Sequence, residues 1–378
     1  MQQFDNYTVR KENKVIRPFF SLIIPCHNSK HIGKLFDSLT RQGISKEDLE
    51  IIIVDDNSTD KSYQDIIRTY DFHCIFTKTA DDLEVHCPGN TREEGLKHVT
   101  GEWLFFADHD DYLCDGVLAY VKDYITNTTD HVIYEILSGI NYIDEYGNII
   151  WQNECSNSWL HGKWYSVDNL IKKYDIHFKK DLITNEDCFF NCTVFNTLME
   201  IDKDFDYLGV YTYNWVSYPD SLCHRLYPEV ENDRGYMFNH FDNFITAITE
   251  PYWENAVNTK DDRYIRPIIS GLLFFYFYYE VADYYKDISD YYDIYWQIQL
   301  FIDRVVNEIG LSRCDIVNYV YQDTAFYEKT LNDSFTLLGH FIPRTSFQDF
   351  VLKNETQNIF NIANMFSNLT EEGEIHED

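Results

Sequence analysis

The chain has 378 residues, which is enough for two or three domains and for a full hydrophobic core. Apolar residues make up 44% and charged residues 25%, so a wholly disordered protein is excluded. The net charge of −32 disfavours nucleic acids and anionic membrane surfaces as partners, because both carry phosphate groups that a negative field repels.

Residues 19–126 alternate short apolar runs with helical patterns. The pattern predicts strands at Phe19–Pro25, Glu50–Asp56, Phe72–Phe76 and Glu102–Asp108. It predicts helices at His31–Gln42, at Thr91–His98 and from Asp115 to about Ile125, with a further helix N-cap at Ser58–Asp60. This β-α-β-α order predicts a mostly parallel central sheet with helices on both faces.

The rest of the chain changes character twice. Residues 131–215 are predicted to be mixed, with a hairpin that turns at 145–148 and a helix at 185–199. Beyond Pro228, aromatic residues recur at helical spacing, which predicts a helical region to Leu369. Its aromatic stripe is a core, a self-association face that could form a homo-oligomer, or a sugar-binding surface. We therefore expect an N-terminal extension (1–18), an α/β domain (19–228), a helical region (229–369) and an acidic tail (370–378).

The cysteine pattern is typical of an intracellular protein. There are nine cysteines, an odd number, and no Cys-x-x-Cys pair, which indicates reduced thiols. The N-terminus lacks the apolar segment of a signal peptide, and the longest apolar run, 267–279, is too short to span a bilayer. We expect a cytoplasmic protein without a transmembrane span, peripheral at most to the inner membrane face.

Carboxylates follow two of the predicted strands. Asp55 and Asp56 end one strand, and Asp108, Asp110 and Asp111 follow another. Ligands of such sheets bind outside the carboxyl ends of the strands, and carboxylates at i and i+2 can address one divalent cation. Capping, an Asx turn at Asp55 or plain solvation are the alternatives at these positions.

Further candidates come from separate segments. Glu186 and Asp187 precede an apolar run, where they either cap a helix or provide a general base. Arg92 could pair with a phosphate, could pair with an acid of the same rim, or could simply lie on an exposed helix. His224, next to Ser221 in SLCH, is either structural or a ligand of a metal or phosphate.

Taken together and in order, SLIIPCHN (21–28), VDDNSTD (54–60), FADHDD (106–111) and NEDCFF (185–190) resemble glycosyltransferase family 2. The resemblance covers about residues 19–225 and implies the nucleotide-diphosphosugar (GT-A) fold. It implies transfer of a sugar, with inversion, from a nucleotide-linked donor, most simply UDP-linked, to a glycan or teichoic-type polymer. It also implies a Mn²⁺ or Mg²⁺ cofactor.

The resemblance assigns roles to particular residues. Asp187 would be the catalytic base, and Asp110 would bind the metal together with His224. The nucleotide would contact the positions Pro25, His27, Asn28, Asp56, Arg92 and Asp108. Secondary candidates are Asp55, Asp111, Glu186 and Ser221.

Two other functional classes remain open. A sugar nucleotidyltransferase could share the fold, but it needs a Gly-rich basic loop after the first strand, which PCHNSKHIG lacks. A non-catalytic glycan-binding or scaffold protein could also retain the fold. The presence of all four acids, Asp56, Asp108, Asp110 and Asp187, favours the enzyme.

Overall fold

The computed structural model describes residues 17–80, 83, 85–154, 159–180, 182–218, 241–285, 288–322 and 344–352. The chain divides into two compact units between Ala247 and Ile248. The predicted boundary at residue 228 and the acidic tail lie outside the described residues, as does most of the N-terminal extension. The predicted domain limits therefore stay predictions.

A mixed sheet forms the framework of the first unit. Its nine strands are β1 (Phe20–Cys26), β2 (Leu49–Asp55), β3 (His73–Lys78), β4 (Trp103–Phe106), β5 (Tyr112–Leu113), β6 (Glu135–Asp144), β7 (Ile149–Asn153), β8 (Lys163–Ser166) and β9 (Asp206–Ser217). Their order is β3-β2-β1-β4-β8-β6-β9-β5, and β7 pairs with β6.

The prediction of a mostly parallel sheet holds for its first half. β1 pairs in parallel with β2 and β4, and β2 with β3. Beyond β4 the sheet is mixed: β8 is antiparallel to β4 and β6, whereas β6 and β9 are parallel. The tight turn at 145–148 is part of the reason that this half of the sheet is not parallel, because such a turn makes β6 and β7 antiparallel. Because β8 is antiparallel to both β4 and β6, β6 runs in the same direction as β4, and so does β9. The carboxyl ends of β4, β6 and β9 therefore lie at the same edge of the sheet.

Alternate residues of the central strands enter two different cores. Leu22 and Ile24 of β1 lie in the core on one face, and Ile23 lies in the core on the other. Strands buried on both faces have no polar side, which explains the continuous apolar runs of the sequence. Each fully buried aliphatic side chain contributes about 1.5–3 kcal/mol.

Helices cover both faces of this sheet, as predicted. They are α1 (Ile32–Leu39), α2 (Tyr63–Arg68), α3 (Pro88–Leu96), α4 (Val117–Asn127) and α5 (Glu186–Glu200). α1 packs Leu35 and Phe36 on one core, and α5 packs Phe190 and Val194 on the other. Apolar residues three and four apart thus place each helix against the sheet.

Helix α2 begins at Tyr63, after Ser62, so the predicted N-cap at Ser58–Asp60 lies two residues too early. Asp60 nevertheless accepts from the Ser62 N–H with its Oδ1, at 2.9 Å, directly before the helix. The N–H groups of Thr59 and Asp60 donate to Oδ1 of Asn28, at 3.0 and 2.8 Å. A side chain from the loop after β1 therefore fixes the chain that leads into the helix.

The second unit is helical, in agreement with the sequence pattern. It contains α6 (Phe241–Thr259), which begins in the first unit, and α7 (Asp262–Tyr285), α8 (Ile288–Arg304), α9 (Arg313–Gln322) and α10 (Arg344–Leu352). Ile268, Leu272 and Tyr276 of α7 are buried, and the Tyr276 ring lies 5.2 Å from that of Phe347. Tyr276 and Phe347 are thus aromatic residues of this region that form core. Across the described helices, none is both long and apolar enough to cross a membrane.

Glu135 and Lys163 form a buried pair on neighbouring strands β6 and β8. Both side chains are almost fully inaccessible, and Nζ of Lys163 lies 3.8 Å from Oε1 of Glu135. Burial raises the pKa of Glu135 from its ordinary 4.5 to about 7, although the Lys163 charge opposes this rise. Ionised Glu135 is therefore less stable in the folded protein than in the unfolded chain.

We expect Glu135→Gln to flatten the pH dependence of folding stability. A carboxyl group with a raised pKa stabilises the fold fully below pH 4.5, and this contribution is lost as the pH rises through 7. A rise of this size corresponds to about 3 kcal/mol. Urea unfolding at pH 5 and pH 8 measures it, with exposed Glu254→Gln as the control. Equal pH dependence in the wild type and Glu135→Gln would contradict the expectation.

Candidate active site

The site lies where the parallel strands end. Cys26 ends β1 beside Asp55 at the end of β2, and the Asp56 N–H donates to the Cys26 carbonyl at 2.8 Å. Asp108 follows β4, the neighbour of β1 on the other side. Because parallel strands present their carboxyl ends at one edge, these acids share a rim, as the sequence predicted.

The loop after β1 is tied to the loop after β2. Asn28 has a positive φ of 48°, its N–H donates to Oγ of Ser58 at 3.0 Å, and its side chain accepts from Thr59 and Asp60. Nδ1 of His27 lies 2.8 Å from the Asp56 carbonyl. The segment thus held against β2 and its following loop, which we call the braced wall, contains three predicted nucleotide contacts: Pro25, His27 and Asn28.

Asp55 and Asp56 have different surroundings. Oδ1 of Asp55 accepts from the Ser58 N–H at 3.1 Å, and Oδ2 lies 3.2 Å from Nζ of Lys61. This is an Asx turn, which was one of the alternatives for Asp55 in the sequence analysis. Oδ1 of Asp56 accepts from Oγ1 of Thr79 at 2.9 Å and lies 2.6 Å from Nδ1 of His86. Asp56 therefore faces β3 and the segment that follows it.

Arg92 joins acids from two distant segments. Its guanidinium is 4% exposed, with Nη2 donating to Oδ1 of Asp108 at 2.6 Å and Nη1 to Oε1 of Glu186 at 2.7 Å. Gly89 permits this approach, because a Cβ there would lie 2.7 Å from Cβ of Glu186. Of the three alternatives for Arg92, the structure contains the pair with rim acids and not an exposed helix position. The Glu186 side chain serves this pair rather than a helix cap.

The Arg92 charge affects its two carboxylates unequally. Burial disfavours the ionised form of Asp108, but the charges of Arg92 and His161 overcome this and hold its pKa well below the usual range. Burial raises the pKa of Glu186 to about 7 in spite of Arg92. Asp108 is thus an anion at neutral pH, while Glu186 is poised between its two forms.

A second cluster surrounds Tyr213 of β9. Its hydroxyl donates to Oδ2 of Asp111 at 2.8 Å and accepts from the Asp108 N–H at 3.0 Å. The His161 ring stacks on Tyr213 with centroids 4.5 Å apart, and its Nε2 lies 3.3 Å from Oδ2 of Asp108. Burial, then Asp110 and Asp108, raises the pKa of Asp111.

This second cluster fits a divalent cation. One ligand atom from each of Asp108, Asp111 and His161 lies within 4.8 Å of the others. Nε2 of His161 is buried without a hydrogen-bond partner, as a metal-ligating nitrogen would be. Carboxylate oxygens and an imidazole nitrogen suit Mn²⁺. Asp110 is in the same loop, and burial followed by the charge of Asp108 raises its pKa, which a cation would offset.

Asp187 lies in the first turn of α5. Asn185 precedes the helix with a φ of 62°, and Oδ1 of Asp187 accepts from the Cys188 N–H at 2.7 Å. Burial raises the pKa of Asp187, and the charges of Arg92 and His161 oppose the rise. Asp187 thus shares the electrostatic environment of Arg92, Asp108 and His161.

Some candidates fall elsewhere or were missed. Ser221 and His224 lie outside the described residues. His161 and Tyr213 were not predicted, since neither has a sequence neighbour with ligand spacing. Tyr213 reaches the site through the pairing of β9 with the sheet, and His161 through the loop before β8, which pairs with β4. A cavity of about 290 Å³ is lined by Arg17, Trp103 and Asp168 but by none of the predicted site residues.

Known proteins resemble the chain in sequence over this region. Residues 21–199 match the family described as Glycosyl transferase family 2. The poly(ribitol-phosphate) beta-N-acetylglucosaminyltransferase TarS of Staphylococcus aureus strain MW2 is 28% identical over 180 residues, 45% of this chain and 31% of TarS. A poly(ribitol-phosphate) beta-glucosyltransferase of Bacillus spizizenii is 34% identical over 126 residues, 32% of this chain and 19% of that protein. The chain thus spans a third or less of these relatives.

A solved structure shares the fold. The crystal structure of S. aureus TarS 1–349 in complex with UDP-GlcNAc superposes with a TM-score of 0.57 at 18% identity, covering 86% of this chain and 93% of that one. The acids predicted from the sequence lie in the part of the chain that the family match covers. This protein therefore carries a glycosyltransferase family 2 domain at residues 21–199.

Proposed function

We propose that the domain transfers a sugar from a UDP-linked donor to a hydroxyl group of a glycan acceptor, with inversion at the anomeric carbon. The observation that carries the proposal is the Arg92 bridge, which joins Asp108 after β4 to Glu186 beside Asp187. This bridge supports the proposal, because the residues we propose as base and donor contacts then share one electrostatic environment. A displacement reaction requires both functions close together.

In this proposal Asp187 accepts the proton of the acceptor hydroxyl as its oxygen attacks the anomeric carbon. The bond between that carbon and the diphosphate oxygen breaks, and UDP leaves with the bonding electrons. One displacement inverts the centre, so no carboxylate nucleophile is needed. Arg92 holds Asp108 in its ionised form and keeps Glu186 beside the base.

The predicted cation would be held by Asp110 and His224, with Asp108, Asp111 and His161 as the described residues that fit it. When bound, it would stabilise negative charge on the leaving diphosphate as a Lewis acid. The braced wall of Pro25, His27 and Asn28, with Asp56, would hold the nucleotide base and ribose.

The acceptor and location extend the proposal. The relatives named above act, by their names, on poly(ribitol phosphate), so a surface polysaccharide or teichoic-type polymer is the acceptor class we propose. Transfer would take place in the cytosol, at the inner membrane face. The odd number of cysteines and the lack of a Cys-x-x-Cys pair in the sequence support a reducing compartment.

Calorimetry with UDP tests the donor site. We expect Mn²⁺ to tighten UDP binding at least about tenfold, and Asp110→Ala to remove that gain, because the cation neutralises the diphosphate. Asp123→Ala, an exposed acid on α4, is the control. A panel of UDP-sugars then identifies the donor by UDP release. Binding of UDP without turnover of any donor would favour the scaffold alternative, and no UDP binding at all would contradict the proposal.

A further inference from the structure

Four aromatic side chains pack against one another in one cluster beside the acids, and one of them, Trp151, is exposed. Tyr142 of β6 lies in register with Trp215 of β9 and Trp151 of β7, with ring centroids 4.9 and 5.4 Å away. Trp159 contacts both tryptophans, at 5.6 Å from Trp151 and 5.2 Å from Trp215. We call Tyr142, Trp151, Trp159 and Trp215 the aromatic platform.

The platform continues directly into the acid cluster. Trp215 follows Tyr213 by two residues on β9, so both side chains project from the same face about 7 Å apart. The loop before β8 has the same spacing: Trp159 contacts Trp215, and His161, two residues further on, stacks on Tyr213. Tyr213 contacts Asp111, and His161 contacts Asp108. Tyr213 and His161 are therefore the residues that separate the platform from the acids.

The outer edge of the platform is exposed. Trp151 is 38% exposed, and its neighbours Ile149 and Ile150 are 57% and 54% exposed. β7 pairs with β6 alone among the described strands. Contiguous exposed apolar surface with a tryptophan marks a binding site more often than a chance feature.

The chemistry of the platform selects its occupant. An aromatic face carries negative quadrupole charge, which attracts the slightly positive axial C–H groups on the flat face of a pyranose ring. Asp144, at the end of β6, is held ionised because hydrogen bonds from Asn148 lower its pKa. Lys34 contacts the hairpin through the Glu145 carbonyl, at 3.4 Å, and also donates to the Tyr218 hydroxyl, at 2.8 Å. Its single positive charge is outnumbered there by the two acidic side chains of Asp144 and Glu145. A polyanionic chain would meet net repulsion here.

We propose that the aromatic platform binds an uncharged pyranose ring of the acceptor glycan and positions it beside the acid cluster. This inference rests on the proposed function, because the adjoining acids make the ring an acceptor. Of the two acceptor classes proposed above, it selects a surface polysaccharide over a teichoic-type polymer. It thereby departs from the printed names of the relatives, whose poly(ribitol phosphate) is acyclic and anionic.

Saturation-transfer NMR on the full chain, with cellotetraose and ribitol 5-phosphate as probes, tests the platform. We expect saturation of the axial H1, H3 and H5 of cellotetraose and little transfer to ribitol 5-phosphate. Trp151→Ala should raise the Kd for cellotetraose about three- to tenfold, the value of one aromatic contact. Trp151→Phe keeps an aromatic face and should retain most of the affinity. Tyr146→Ala, 82% exposed in the hairpin turn, is the matched control and should change nothing.

Other readouts separate this inference from the proposed function. UDP binding with Mn²⁺ should be the same in the wild type and Trp151→Ala, because no residue of the platform is among the proposed donor contacts. Loss of UDP binding in the wild type would contradict the proposed function while the sugar result still stands. Three results would overturn the platform: no saturation of cellotetraose, ribitol 5-phosphate bound in its place, or a wild-type dimer by light scattering that Trp151→Ala dissociates.

Discussion

Replacing Asp187 by asparagine is expected to lower kcat about 10²- to 10⁴-fold while donor affinity stays within about threefold, because a general base contributes that much to the transition state. The amide keeps the shape of the carboxyl group and still accepts from the Cys188 N–H, so the first turn of α5 is preserved. Single-turnover transfer with the donor found in the UDP-sugar panel measures the loss.

Two further measurements make the assignment specific. Glu186→Gln removes the neighbouring carboxylate but leaves the base, so its kcat should remain well above that of Asp187→Asn. The rate in the wild type should also fall with acid, and since burial raises the pKa of Asp187, the fall should begin above pH 4. Near-normal transfer by Asp187→Asn, together with abolished donor binding in Asp110→Ala, would show that another group is the base.

The first half of the fold could be predicted because its signals are local. The runs around Ile23, Ile52 and Phe105 are apolar on every residue, and only a strand covered on both faces suits such a run. The acids that follow them are fixed to the rim by the direction of a parallel strand. For this reason the positions of Asp55 and Asp108 followed from sequence alone.

The second half depends on contacts that no local pattern encodes. The four-residue strand β8 is inserted between β4 and β6, and Lys163 within it is a charged residue at a fully buried position. Its partner Glu135 is 28 residues away, so neither residue alone predicts burial. The same holds for His161, which reaches Asp108 across more than fifty residues of sequence.

Arg92 is the clearest case of an alternative that only the structure decides. Its position in α3 is compatible with a phosphate contact or with an acid contact, and both need the same guanidinium. The distances of 2.6 and 2.7 Å to Asp108 and Glu186 show that both Nη atoms already have acid partners. In the structure, the Arg92 side chain therefore holds Asp108 and Glu186 together.

Arg92→Met is expected to destabilise the fold by about 3–5 kcal/mol at pH 8, because it removes the cation that bridges the buried Glu186 and the partly exposed Asp108. Arg41→Met is the matched control: Arg41 lies 2.7 Å from Asp115, but these side chains are 47% and 66% exposed. Exposed pairs of this kind contribute about 0–1 kcal/mol. Urea unfolding of the three proteins gives the comparison.

The pH dependence of that loss distinguishes removal of charge from removal of packing. Without Arg92, burial would raise the pKa of both Asp108 and Glu186, so the folded variant would take up protons more readily than its unfolded chain. Its stability should then increase as the pH falls, and the deficit relative to wild type should be smaller at pH 5 than at pH 8. Adding Glu186→Gln to Arg92→Met should recover part of the deficit at pH 8 for the same reason. An equal deficit at both pH values, with no recovery in the double variant, would mean that Arg92 stabilises the site through the packing of its side chain and that the acids do not need its charge.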